Sequence, residues 1–165
     1  MARTYATFEE FGQALNRAYR GLNPAVETAL RINVKDLVSN IKLRVSTKGQ
    51  KADGGSFSTP YSKSHTYKRK KYGQGALGNQ TSYKGFFYQG DMWNNFRMLT
   101  LNARQDGMTA TLGFEGQNAY ISNESLNQIH STREQIAIAA ASPDEARDLT
   151  RKIGFAIGEY LNATL

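Results

Sequence analysis

The sequence predicts an α+β fold, helices packed on a small antiparallel sheet with a long extended basic loop set into the chain. Three patterns carry that expectation. Apolar residues recur at helical spacing towards both ends, a period-two stretch lies between them, and residues 49 to 85 follow neither rhythm. There is no internal repeat and no strand-helix-strand alternation, so an antiparallel sheet fits better than a parallel one. A chain of 165 residues suffices for one domain with its own core and is short for two. The expected organisation is N-terminal helices over about 8 to 47, a basic loop or arm over about 49 to 85, and a hairpin, strand and C-terminal helix over about 86 to 163.

Thr7-Phe-Glu-Glu10 has the form of a capping box, in which the Thr7 hydroxyl accepts from the Glu10 N–H, and predicts a helix beginning at Phe8. Phe8, Phe11, Leu15, Ala18 or Tyr19, and Leu22 give it an apolar stripe, and Gly21 to Pro24 is expected to end it. Asn23-Pro24 then predicts a second start, because proline at the first helical position gives up an N–H that has no intrahelical partner anyway. Val26, Leu30, Val34, Leu37, Val38, Ile41 and Val45 form the stripe of this longer helix, a core-packing face that stops at Lys48-Gly49.

Past Gly85 the rhythm changes. Phe96, Met98 and Thr100 alternate with Arg97, Leu99 and Leu101, and Met108, Ala110, Leu112 and Phe114 alternate with Thr109, Thr111 and Gly113. Asp106-Gly107 between the runs predicts a β-hairpin over about 95 to 114. Residues 119 to 130 suit a short helix, and the alternating Ile136 and Ile138 of 134 to 141 suggest a further strand. Ser142-Pro-Asp-Glu145 combines an N-cap, a first-position proline and first-turn acids, and predicts a final helix carrying Ala146, Leu149, Ile153 and Leu161.

Charge is concentrated. Between Lys42 and Lys84 stand ten Lys or Arg against one acid, Asp53, for a net +9; the remaining 11 bases and 13 acids give −2. The chain's overall +7 therefore belongs to the 49 to 85 segment and its approach. A loop of more than thirty residues is unusual in a compact domain and is commonly functional. Its Gly73, Gly75 and Gly78 spell G-x-G-x-x-G, but Tyr67-Lys-Arg-Lys-Lys-Tyr72 before them is no buried strand and Asn79-Gln-Thr-Ser82 after them opens no helix, so the dinucleotide reading fails. Clustered cations interleaved with Tyr61, Tyr67, Tyr72, Tyr83 and Tyr88 suit either phosphate neutralisation with base stacking or contact with an acidic protein surface.

Other chemistry is thin. There is no cysteine, and His65 and His130 are too few for a histidine-rich metal site, so no metal or other cofactor is expected. Glu9, Glu10, Glu115, Glu124, Asp144 and Glu145 belong to caps or are scattered, with no paired acid and base, so no enzyme is expected. No apolar run approaches the roughly 18 residues that cross a bilayer, and Met-Ala-Arg-Thr-Tyr-Ala has no secretion-signal core, so a cytosolic origin without a membrane partner is expected.

The order of short motifs resembles the virion morphogenesis and tail-completion (head-tail connector) proteins of tailed bacteriophages. Gly54-Gly-Ser-Phe57, Pro60-Tyr-Ser62 and Tyr67-Lys-Arg-Lys70 are similar to that family's G-x-x-F, P-L/Y-S and later R-K. Tyr88-Gln-Gly-Asp-Met92 resembles its T-G-x-L turn into the hairpin, Tyr120 with Glu124 its Y-A and H/E positions, and Arg133 with Ser142-Pro-Asp-Glu145 its closing arginine and capped helix. Gln89-Gly stands where the family has threonine-glycine, and Met92 where it has leucine.

The resemblance spans about residues 26 to 161. It implies a non-enzymatic neck protein, made in the bacterial host cytoplasm, that joins a homo-oligomeric ring of the virion between portal or adaptor proteins and the tail tube. In that setting the 49 to 85 loop would wrap a neighbour as an assembly arm. Phe57, Tyr61, Tyr67, Tyr72, Phe86 and Phe87 would supply aromatic contacts, and Lys68, Arg69, Lys70 and Lys71 would steer it to an acidic surface or to DNA in the lumen. The alternative is a nucleic-acid-binding module acting through residues 61 to 84.

Overall fold

The computed structural model describes residues 7–57, 61, 63–73, 75, 79, 81–82, 86, 91–104, 107–117, 121–134 and 137–165. Among the described residues, five helices and two strands follow in the order α1 (Phe8–Lys48), α2 (Lys63–Tyr72), α3 (Asp91–Asn94), β1 (Phe96–Arg104), β2 (Gly107–Phe114), α4 (Asn123–Glu134) and α5 (Pro143–Thr164). The class is α+β, mainly helical with a two-stranded antiparallel sheet.

The expected pair of N-terminal helices is one helix. α1 runs for 41 residues, about 60 Å at 1.5 Å per residue, with Pro24 inside it. An interior proline forgoes one backbone hydrogen bond and costs about 3 kcal/mol, so the break predicted at Gly21 to Pro24 must be overridden by packing. The packing is visible. α5 lies antiparallel along α1, and its Tyr160 hydroxyl reaches the carbonyls of Ala18 at 3.3 Å and Arg17 at 3.4 Å, just before the proline. Gly21 makes room for it, since a Cβ there would stand 1.9 Å from the Tyr160 oxygen. This glycine is a packing notch and not a stop signal.

The real stop comes where it was expected. Gly49 takes the left-handed conformation (φ 61°), its N–H donates to Val45 O, and Gln50 N–H donates to Arg44 O, closing the helix with an αL cap. At the other end Thr7 Oγ1 accepts from Glu10 N–H, as its sequence predicts.

The predicted stripe of α1 builds the core. Val34, Leu37, Val38, Ile41 and Val45 pack with Phe57, Met92, Trp93, Phe96, Phe114 and Ile138. Trp93, Phe96 and Phe114 form the aromatic centre, with ring centroids 4.7 to 5.7 Å apart. The hairpin pairs Phe96 with Phe114 and Arg104 with Gly107, with a bulge at Leu99 between Met98 and Thr100. Its predicted Asp106 turn residue lies outside the described residues.

Two further expectations are corrected. The strand foreseen at 134 to 141 is absent among the described residues: Glu134 ends α4, and Ala140 N–H closes a turn onto Ala137 O. Ile138 is nevertheless buried, its N–H donating to Ser131 Oγ, so that part of the apolar signal is a core residue in a turn; Ile136 lies outside the described residues. Nor is 49 to 85 an extended loop throughout. A turn folds Gly49 back towards Phe57, with Phe57 N–H donating to Gly49 O, and Lys63–Tyr72 is helical.

The seam between α1 and α5 carries charge as well as apolar contact. Lys152 bridges Asp148 at 3.0 Å on its own helix and Asp36 of α1 at 3.4 Å. Hydrogen bonds from Lys152 and Arg151 lower the Asp148 pKa, and those to Asp148 and Asp36 raise that of Lys152. The depressed aspartate contributes stability above its ordinary range and loses it as pH falls through its folded value. The raised lysine contributes below its ordinary range and loses it as pH climbs through its folded value. Urea unfolding across pH should therefore show Asp148→Asn less stable than wild type at neutral pH, the gap closing in acid below the ordinary aspartate range.

Packing at Gly21 has its own signature. Gly→Ala in a helix ordinarily gains about 1 kcal/mol, but Gly21→Ala displaces the Tyr160 ring and should instead lose about 1 kcal/mol in denaturant unfolding. In a Tyr160→Ala background the same change should turn stabilising.

Candidate assembly surface

α2 has one buried residue, and it is polar: Arg69. Tyr61 stacks on His65 (centroids 4.9 Å apart, 10° between planes), and the Arg69 guanidinium lies 4.5 Å from the Tyr61 ring centroid. The Tyr61 ring, ahead of α2, thus lies against both His65 and Arg69, which are one turn apart on the helix. Arg69 is 1% exposed. An arginine, planar and weakly hydrated, can occupy such a position where lysine would not. α2 thus has no apolar stripe, and hydrophobic periodicity is silent there; the i, i+4 spacing of Tyr, His and Arg was the available signal.

The opposite face is cationic. Lys63, Tyr67, Lys70 and Lys71 fall within about 100° of arc at 3.6 residues per turn, and Lys63 and Lys70 are separated by about 10 Å along the axis. All four are exposed, as are Lys68 and Tyr72. Lys71 Nζ sits over Tyr67 and Tyr72, at 5.7 and 5.2 Å from their ring centroids. α2 contains no acid, so these charges face outward with no neutralising residue on their own helix.

The structure therefore divides the predicted contact residues. Tyr67, Lys70 and Lys71 stand together on the exposed arc of α2, and Lys68 and Tyr72 are exposed outside that arc. Phe57, Tyr61, Arg69 and Phe86 do not. Phe57 is a core residue, 2% exposed, and Phe86 packs edge-on against it at 4.9 Å and against His130 of α4 at 4.9 Å. Phe86 holds a positive φ of 51°, an uncommon conformation for a bulky residue, which these two ring contacts offset. Their aromatic area is spent inside the chain. Phe87, Tyr83 and Tyr88 lie outside the described residues. Among the described residues no three His, Cys, Asp or Glu side chains converge as a metal site, and no helix is long and apolar enough to cross a membrane.

This division can be checked by stability. Phe57→Ala should cost about 3 to 5 kcal/mol in chemical unfolding, as for a buried aromatic, while replacing Lys63, Lys70 and Lys71 together by Gln should shift it by under about 1 kcal/mol. Comparison of the chain with protein-family models, curated proteins and solved structures gives no match.

Proposed function

We propose that this chain is a non-enzymatic structural protein of a tailed-bacteriophage virion that joins a ring at the head-tail interface, contacting portal-side and tail-tube-side proteins. The reading rests on the order of the short motifs from Gly54-Gly-Ser-Phe57 through Ser142-Pro-Asp-Glu145, and on one structural observation that agrees with it. Two cations of the third motif, Lys68 and Lys70, are exposed on α2, whereas its Arg69 and the phenylalanine of the first motif are buried. A body stabilised by Phe57 and Arg69 of these motifs and presenting Lys68 and Lys70 to solvent has the chemistry of an assembly subunit. In this role α2, with its lysines and Tyr67, meets an acidic neighbouring surface.

Phage particles purified on a gradient are the test. Peptides from this chain and a matching ring in single-particle images are expected at the neck, and particles complete without it would overturn the reading. The exposed lysine arc also supports a second reading, phosphate-backbone binding. There, affinity for mixed-sequence DNA should fall with salt at a log-log slope of about −2 to −3, three lysines each releasing a counterion, and should be lost on neutralising Lys63, Lys70 and Lys71.

A further inference from the structure

The N-terminal half of α1 carries an apolar stripe of large side chains that remain half to almost fully exposed. Phe8, Leu15 and Leu22 recur every seven residues, with Phe11 and Tyr19 between them, the spacing of a two-helix seam. α5 covers only the small-residue side of this stretch: Ala14 and Ala18 are buried, and Gly21 accommodates Tyr160. The large side chains beside that line stay in solvent, Phe8 at 96% and Tyr19 at 80% exposure, with Leu15 and Phe11 about half exposed. Gly12, Leu15, Tyr19 and Leu22 meet Leu161 and Leu165 of α5 in a groove of about 510 Å³. Among the described residues, nothing beyond the helix's own nearby backbone and chain neighbours lies within 4 Å of the place a Gly12 Cβ would take, so a second backbone can approach closely there.

We propose that this stripe is the seam of an antiparallel, two-fold homodimer, two α1 helices pairing around Leu15. The area is sufficient: at about 200 Å² per aromatic side chain, the exposed parts of Phe8, Phe11, Tyr19 and Leu15 offer roughly 500 Å² per copy and roughly 1,000 Å² per pair, the threshold for a specific interface. Charge selects the orientation. At 3.6 residues per turn Glu9, Asn16 and Arg20 follow one another along the flank next to Gly12, the flank away from α5. A two-fold axis between antiparallel helices lays like flank on like flank, so Glu9 of each copy comes opposite Arg20 of the other. Parallel pairing would put the Glu9 and Arg20 flanks of the two copies on opposite sides of the seam, so that neither pair forms, and would align the helix dipoles unfavourably.

This inference goes beyond the ring reading and does not depend on it. A two-fold contact closes at two copies, so it covers the stripe in the free protein and leaves α2 available to other partners. Because the chain has no cysteine, one introduced thiol reports the geometry cleanly. Under mild oxidation Leu15→Cys, on the axis, should form a covalent dimer. Phe8→Cys should not, since the two sulfur-bearing positions would lie about 21 Å apart along the seam, beyond disulfide reach.

Light scattering on the unmodified chain should give twice the monomer mass. Glu9→Arg alone and Arg20→Glu alone should weaken the association at least several-fold, and the two together should restore it. A monomer at every concentration, equal cross-linking through Phe8→Cys, or no rescue by the double exchange would overturn the proposal. The outcome is independent of whether the chain is found in virions.

Discussion

The fold depends on one ion pair that joins three distant stretches of chain. Arg44, a turn from the end of α1, donates through Nε to Glu145 Oε1 at 3.0 Å and through Nη2 to Glu145 Oε2 at 3.2 Å. The same guanidinium reaches Gln50 O at 2.9 Å and Ala140 O at 2.6 Å. Glu145 is also the reciprocal member of the capping box, its Oε2 accepting from Ser142 N–H at 2.7 Å. One carboxylate thus starts α5 and fixes that start to the end of α1, while the arginine holds the turn leading to Phe57. Both side chains are nearly nine-tenths buried, at 11% and 12% exposure. Removing one partner of such a pair costs about 3 to 5 kcal/mol, against less than about 1 kcal/mol for a surface pair.

From that junction α5 has little freedom. It runs back along α1, bridging Asp36 through Lys152 and meeting Gly21 through Tyr160, and by splinting the helix on both sides of Pro24 it allows one helix where local propensity favours two. α1 consequently has two unlike halves. The C-terminal half buries its stripe under the hairpin, α3 and Phe57; the N-terminal half is covered by α5 along one side only, which leaves its large apolar residues for a second chain.

What the sequence made legible was local. The caps at Thr7 and Ser142, the stop at Gly49, the alternation of the hairpin and the stripe from Val34 to Val45 each express an interaction within a few residues of itself, and each is found. What stayed hidden was set by distant partners. Gly21 and Pro24 signal a break unless Tyr160, more than a hundred residues later, is known to pack there. Ile138 imitates a strand although it sits in a turn. α2 escaped because its buried residue is Arg69, packed on the Tyr61 ring, which hydrophobic periodicity cannot register. Of the expected contact surface, the exposed lysines and Tyr67 and Tyr72 were legible as a basic tract, whereas composition alone could not tell that Phe57 and Arg69 face inward.

The central claim is that Arg44 and Glu145 act as a unit to organise both long helices. A double-mutant cycle in urea tests it, with Arg44→Met, Glu145→Gln and the combined variant. The account requires a coupling energy of about 1.5 kcal/mol or more, the double variant being no less stable than Arg44→Met alone. Additive effects, with coupling near zero, would show that the two ends of the seam hold independently and would contradict it.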